Sequence, residues 1–345
     1  MSLNTTVTSI GTINNTVDAP LAGSVPYDTK YATYLKLFSG ELFKAYESAT
    51  IAKNTVQTRQ LKNGKSLQFI FTGRMTAEYH EPGTPILGRG DPPVAEKTIT
   101  CDDLLISSAF VYDLDETLAH YSLRGEISKK IGHALAEAYD KKIFRVIAQA
   151  ARQAHPITAA PGPEPGGSVI KIGSGNQYDA QKLVDAFFEA AAILDEKNLP
   201  KVGRTAVLNP RQYYALVSQV DTNILNRDYG NSSGNLTSGE GLYEIAGIKL
   251  QRSNNLPFQA GSITEAVGER SDDGEQQPGY HGDFSAHAGL IYQKDAAGVV
   301  EAIGPQVQTT GADIKTMYQG DLIVGRLPMG AGTLNPAAAV EIQAA

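Results

Sequence analysis

Between Tyr112 and about Arg152 the apolar positions fall into two helical stripes, and no proline interrupts them. Ile127, Ile131, Leu135 and Ala138 make one stripe. Tyr121, Gly125, Gly132, Tyr139 and Ile143 make the other, about 100° round the axis by the ~3.6-residue period. Glu126–Lys130 and Glu137–Lys141 are i,i+4 pairs in the favourable order on the remaining side. Asp113 can cap the helix, Glu116 follows three residues later, and Asp115 adds charge where the helix dipole favours anions. His155-Pro156 forbids continuation. The spacing therefore predicts a helix over 112–152, about 57 Å long at ~1.5 Å per residue, covered from two directions. Its length suits a strut, although periodicity alone favours the core helix of an ordinary α+β domain.

The pattern on either side is more broken. Residues 1–28, rich in Thr, Asn, Ser and Gly, read as an arm, and Leu35, Phe38, Leu42, Phe43 and Tyr46 predict a short amphipathic helix over 31–48. Val56–Leu61 and Ser66–Thr72 flank Asn63-Gly64, the strongest short hairpin signal. Glu96–Thr100 alternates as a strand, and Leu104–Tyr112 leads into the long helix. Residues 156–175 are Pro/Gly/Ala-rich and read as a surface loop. A second amphipathic helix runs from Tyr178 to Lys197, with Leu183, Val184, Phe187, Phe188, Ala191 and Leu194 inward, and Asn176 with Asp179 resembles a capping box. A strand at Thr205–Leu208, a helix from Pro210 to about Gln219 and a strand pair over Tyr243–Arg252 follow. Residues 226–241 and 268–283 read as polar loops, and Gly289–Tyr292, Val299–Ile303 and Leu322–Arg326 as strands.

Composition narrows the function classes. The chain has 345 residues, 41% hydrophobic and 19% charged, enough for one large domain or two. A net charge of −7 argues against a dedicated nucleic-acid binder. Cys101 is the single cysteine, so no intrachain disulfide forms and a reducing compartment is expected. No apolar run approaches a membrane span or a signal-peptide core. Candidate chemistry is sparse. Gly64-Lys65-Ser66 ends like a phosphate loop but has Arg59 where the first glycine belongs. Gly230-Asn231-Ser232-Ser233-Gly234 has the letters of a nucleophile elbow in a polar loop rather than between a strand and a helix. Asp113, Asp115, Glu116 and His120 have metal-binding residue types, and helix-start carboxylates explain them more simply. Arg89-Gly90-Asp91 is a three-residue match without specificity. No cofactor, metal or catalytic set emerges. Lys53, Arg59, Lys62, Lys65 and Arg74 lie in a stretch without an acidic residue, which suits an edge-protecting pattern or a basic arm reaching an acidic partner.

The ordered series arm, short helix, basic excursion, strut helix, second helix, mixed α/β segment and terminal strands resembles the major capsid proteins of tailed phages. It resembles most those of T-seven-like podoviruses, including cyanophages. The residues that carry the resemblance are Tyr34–Tyr46, Gly64–Phe69, Glu96–Thr100, Asp103–Ile106, Val111–Glu116 and Ala119–Glu126. It is strong over 31–150, moderate over 178–252 and weak elsewhere except Gly330–Val340, and the insertions at 156–175 and 268–283 depart from it. The resemblance implies an α+β, HK97-like fold. It would place an N-arm at 1–50, an extended loop at 51–105, a peripheral domain at 106–200 with spine helix 112–152, an axial domain at 201–305, and a return to the peripheral domain with the C-terminal tail at 306–345. It also implies a structural, non-enzymatic protein of the virion, assembled in the host bacterial cytoplasm. Hexamers and pentamers would build an icosahedral shell around double-stranded DNA, with a scaffolding protein and a portal protein as partners. Negative charge fits a wall that contains DNA without adhering to it. Lys62, Lys65 and Arg74 are the expected intersubunit contacts, facing Asp113, Asp115 and Glu116 of an adjacent copy. Gly125 and Gly132 are expected to serve close packing or bending of the spine helix. An encapsulin-type compartment shell and an enzyme with an unrecognised site are the alternatives.

Overall fold

The long helix forms, and two sheets form around its second half. The computed structural model describes residues 50–75, 77, 79–83, 85, 93–102, 104–114, 123–158, 163–219, 244–257, 280, 282–302, 306–309 and 318–345. In chain order the elements are β1 (Gln57–Gln60), β2 (Ser66–Thr72), β3 (Val94–Thr100), β4 (Leu104–Tyr112), α1 (Leu123–Ala151), β5 (Ser168–Lys171), α2 (Ala180–Glu196), β6 (Arg204–Leu208), α3 (Pro210–Gln219), β7 (Glu244–Ile245), β8 (Ile248–Arg252), β9 (His287–Gln293), β10 (Ala297–Glu301), β11 (Gln306–Thr309), β12 (Gly320–Thr333) and β13 (Ala339–Gln343). The chain divides into two compact units. The smaller takes 107–132 and 307–325, and the larger takes 48–106, 133–306 and 326–345. The predicted helix at 31–48 and the loop at 226–241 lie outside the described residues.

In the larger unit a six-stranded mixed sheet runs β5-β13-β9-β6-β8-β7. It draws β5 and β13 from segments far apart in sequence and pairs them in parallel, Val340 opposite Ser168. The predicted surface loop at 156–175 therefore contains an edge strand. Its alternation is too short to be seen in a Pro/Gly-rich stretch, and only β13 supplies its hydrogen bonds. α2 and α3 cover the sheet. Leu183, Val184, Phe187 and Leu194 of α2 join Tyr213 and Leu216 of α3 over Ala206, Leu208, Ile291 and Val340. Phe188, expected inward, is 55% exposed, one helical step off that face. The cap of α2 is Asp179, which accepts from the backbone of Gln181 at 3.0 Å and of Lys182 at 3.5 Å, in place of the expected Asn176 box. β7 and β8 form the expected hairpin, with Ala246 and Gly247 both at positive φ as a two-residue turn requires.

The hairpin expected around Asn63-Gly64 is corrected. Gly64 turns the chain at φ 90°, but the strands beside it part company. β1 pairs in parallel with β10, and β2 pairs antiparallel with β3, Ser66 opposite Thr100 and Thr72 opposite Val94. Burial outweighs the local turn preference: Val56 and Leu61, at either end of β1, are both buried, and the Leu61 N–H donates to the Glu301 carbonyl at 2.8 Å. β10 pairs with β12 in turn.

α1 changes character along its length. Ile131 and Leu135 are buried while Gly132 and Glu137 are exposed, so this part is amphipathic. From Tyr139 to Ala151 it is buried almost all round, and Ile143, Phe144 and Ile147 have no exposed surface. Side chains from this half reach both sheets: Tyr139 Oη donates to Glu301 of β10 at 3.0 Å, and Arg152 pairs with Glu341 of β13. The expectation of a helix covered from two directions holds here, and Glu137–Lys141 forms the expected i,i+4 pair. In the smaller unit β4 and β11 each pair with β12, and the Asp113 N–H donates to the Gln319 carbonyl at 3.0 Å.

Candidate functional site

The β2–β3 ribbon is two-faced. Leu67, Phe69 and Phe71 alternate inward, and Phe69 and Ile99 cluster with Leu61, Cys101, Val300 and Leu334. Arg59 stacks its guanidinium 4.5 Å from the Phe69 ring. The base of the ribbon thus has a core within its own subunit. The opposite face carries Ser66, Gln68, Ile70 and Thr72, with Ile70 71% exposed and Val94 diagonal to it on β3. Lys62 and Lys65 flank Gly64 and are exposed. Arg74 is engaged within its own subunit, its Nε 3.2 Å from Glu164 Oε2 and its Nη2 donating to the Lys197 carbonyl at 2.7 Å.

β4 alternates in the same way. Leu105 and Val111 are buried, while Leu104, Ile106, Phe110 and Tyr112 are exposed. In the smaller unit Phe110 meets Tyr112 edge-on at 4.9 Å and Tyr318 at 6.3 Å between ring centroids. This leaves contiguous aromatic surface where the strand reaches the helical residues Asp113 and Leu114. Asp115, Glu116 and His120 lie outside the described residues, as do the surroundings of Gly125, Ser232 and the Arg-Gly-Asp triplet. A Cβ added at Gly132 would meet no atom of the described residues within 4 Å.

Two buried carboxylates organise the polar interior of the larger unit. Glu341 accepts from Arg152 Nε and Nη2, both at 2.6 Å, and from Gln343 Nε2 at 2.9 Å. Its Oε1 also lies 2.7 Å from His287 Nδ1. Burial raises its pKa, but the hydrogen bonds from Arg152 and His287 outweigh burial and hold the carboxyl below its ordinary value. Asp140 of α1 accepts from the backbone of Ile51 at 2.9 Å and Ala52 at 3.2 Å, where the chain enters the larger unit, and from Asn255 Nδ2 at 3.5 Å. Burial among these neutral donors pushes its carboxyl up to about 6. Lys197, its Nζ held by the Gly166 carbonyl and Ser168 Oγ, is pulled down to about 8 by burial.

Asp140, Glu164, Lys197, His287 and Glu341 carry no sequence signal, because each finds its partners at separations that no local spacing encodes. Among the described residues no group of His, Cys, Asp and Glu could hold a metal ion, and no helix is long and apolar enough to cross a membrane. Among the described residues the arrangement offers apolar and charged surfaces set on strands and helices.

Comparison with known proteins gives these surfaces a context. The Gp10A-like family, described as major capsid protein, matches residues 69–343. The chain is similar to the capsid structure of cyanophage P-SCSP1u, at 36% identity over 97% of both chains with a TM-score of 0.75. It is also similar to the major capsid protein of Escherichia phage T7, at 25% identity over 92% of this chain and 93% of that one. The mature capsid of bacteriophage PhiM1 shares the fold at 16% identity, with a TM-score of 0.68 over 90% of this chain and 91% of that one. With an HK97-like α+β fold, a buried strut helix and two-faced strands, the chain belongs to the Gp10A-like family of major capsid proteins, of the T7-like podovirus type.

Proposed function

We propose that the protein assembles as hexamers and pentamers into an icosahedral shell enclosing double-stranded DNA, working without catalysis and together with a scaffolding protein and a portal protein. Assembly takes place in the host bacterial cytoplasm. The supporting observation is apolar surface left uncovered on strands that already have their own core. Ile70 and Val94 sit on the outer face of the ribbon, and the Phe110, Tyr112 and Tyr318 rings touch one another at the surface. The N-arm at 1–50, extended loop at 51–105, peripheral domain at 106–200, axial domain at 201–305 and C-terminal return at 306–345 are the parts assigned to this task. The test is electron microscopy after co-expression with the scaffold. Closed shells or capsomer rings are expected; a stable monomer by light scattering under every assembly condition overturns the reading.

Within the shell, Lys62 and Lys65 face the Asp113, Asp115 and Glu116 carboxylates of an adjacent copy. Lys62→Glu with Lys65→Glu lowers assembly yield, and the deficit is largest at low salt, where charges are least screened. An unchanged yield at low ionic strength removes the contact. Arg74 meets Glu164 within its own subunit before any such contact forms.

Gly125 and Gly132 serve bending of the spine helix during shell expansion rather than packing, a reading supported by the open surroundings of Gly132. Gly132→Ala raises subunit stability by about 1 kcal/mol through helix propensity and slows expansion of the precursor shell. Thermal unfolding and the expansion rate check the two halves of this statement. A loss of stability would restore packing as the explanation.

A further inference from the structure

The Pro/Gly-rich insertion that departs from the family pattern is pinned in place. The Glu164 N–H donates to the Ile157 carbonyl at 3.0 Å, and the Gly167 N–H donates to the Gln153 carbonyl at 2.8 Å. Gly167 passes so close to the end of α1 that a Cβ there would lie 2.3 Å from the Ala151 carbonyl oxygen. Lys197, capping the C-terminus of α2, reaches back with its amine to the Gly166 carbonyl at 2.7 Å. These contacts fix Glu164 beside the last carbonyls of α2. That pair, a carboxylate and a helix C-terminus, forms a small negative pole.

Arg74 fills that pole. It stands just beyond β2, and its guanidinium pairs with Glu164 at 3.2 Å while donating to the Lys197 carbonyl at 2.7 Å. Three residues earlier, Phe71 meets the His155 ring edge-on at 6.3 Å between centroids. Between them Gly73 closes the ribbon by donating to the Pro93 carbonyl at 2.7 Å. The outer end of the described ribbon is therefore held by the insertion and by α2, on top of the apolar core at its base.

We propose that Arg74, Glu164 and the Lys197 carbonyl form a clasp that holds the extended loop on its own subunit and restrains assembly until it opens. The clasp rests on the reading of this protein as a shell subunit. An isolated subunit with a loop free to swing would pair wrongly with its neighbours. A charge-assisted contact, partly exposed, is strong enough to set the resting posture and weak enough to exchange when a neighbour arrives. The two hydrogen-bonded ends act on one side chain, so loss of Arg74 opens both at once, and loss of Glu164 opens one.

The test compares full-length subunits carrying Arg74→Ala, Glu164→Gln and both changes. Amide hydrogen exchange reads residues 66–72 and 94–100, and light scattering reads the rate of shell formation. Arg74→Ala accelerates exchange in the ribbon roughly fivefold or more, and Glu164→Gln does so less. The double variant exchanges no faster than Arg74→Ala alone, because the two residues act through one contact. Each single variant nucleates shells faster than the wild type. Unchanged exchange overturns the clasp, additive effects in the double variant overturn the pairing, and faster exchange with unchanged or slower assembly overturns the restraint. Exchange is measured on subunits, so a wild-type protein that forms no shell counts against the shell reading and leaves the clasp to be judged separately.

Discussion

Glu341→Ala destabilises the subunit by roughly 3–5 kcal/mol, a large part of a typical folding free energy. The carboxylate has no exposed surface and is the common partner of Arg152, His287 and Gln343. Removing it leaves the Arg152 guanidinium partly buried without its counter-charge and separates the end of α1 from β13. Denaturant unfolding of the subunit checks the value, and a loss below about 1 kcal/mol would mean that the network relaxes around the gap. The pH dependence follows from the direction of the shift. Glu341 titrates below its ordinary value when folded, so its stabilisation is present above the ordinary carboxyl range and disappears as pH falls through the folded value. Asp140 runs the other way. Raised to about 6, it contributes stability fully below its unfolded value and loses that contribution as pH climbs through 6. Glu341→Ala therefore flattens the acid limb of the stability profile and leaves the change near pH 6 in place.

Gly330→Ala costs about 3 kcal/mol or more and loosens the base of the β2–β3 ribbon. A Cβ at that position would lie 2.0 Å from the Thr100 carbonyl oxygen and 2.9 Å from the Cys101 Cα, both of them backbone atoms that cannot rotate away. Gly332→Ala is the comparison. Its Cβ would meet Ile99 side-chain atoms at 2.9 and 3.1 Å, which repacking can partly accommodate. Thermal unfolding ranks the two variants, and hydrogen exchange at 94–101 reports whether the ribbon lifts. Equal effects would show that the strands, not the contact at Thr100, carry the constraint. The contrast with Gly132→Ala is instructive, since the same substitution gains stability where the helix faces open space.

Much of the fold is legible in the residues because it rests on local periodicity. The 3.6-residue stripe along 123–151, the proline at the start of α3 and the period-2 runs in β3 and β8 each state their own secondary structure. The ordered series of these elements also sufficed to identify the capsid family. Failures came where a short-range signal competed with burial at long range. Asn63-Gly64 made its turn, yet β1 and β2 found partners 241 and 34 residues away, counted from Gln57 to Gly298 and from Ser66 to Thr100. Phe188 has the composition of a core residue and the wrong helical phase.

Residue type, spacing and charge along the chain state the long helix, the negative charge and the single cysteine, and the resemblance those residues carry supplies the α+β class and the family. Tertiary structure alone decided which charges meet. It gave Arg74 to Glu164, Arg152 to Glu341, and the Ile51 and Ala52 amides to Asp140. It also decided where glycine is required by close approach of the backbone, at Gly330 and Gly167. The physical reason is that a hydrogen bond or a steric limit depends on the position of a second group. That position is set by how sheets and helices stack, which no local pattern encodes.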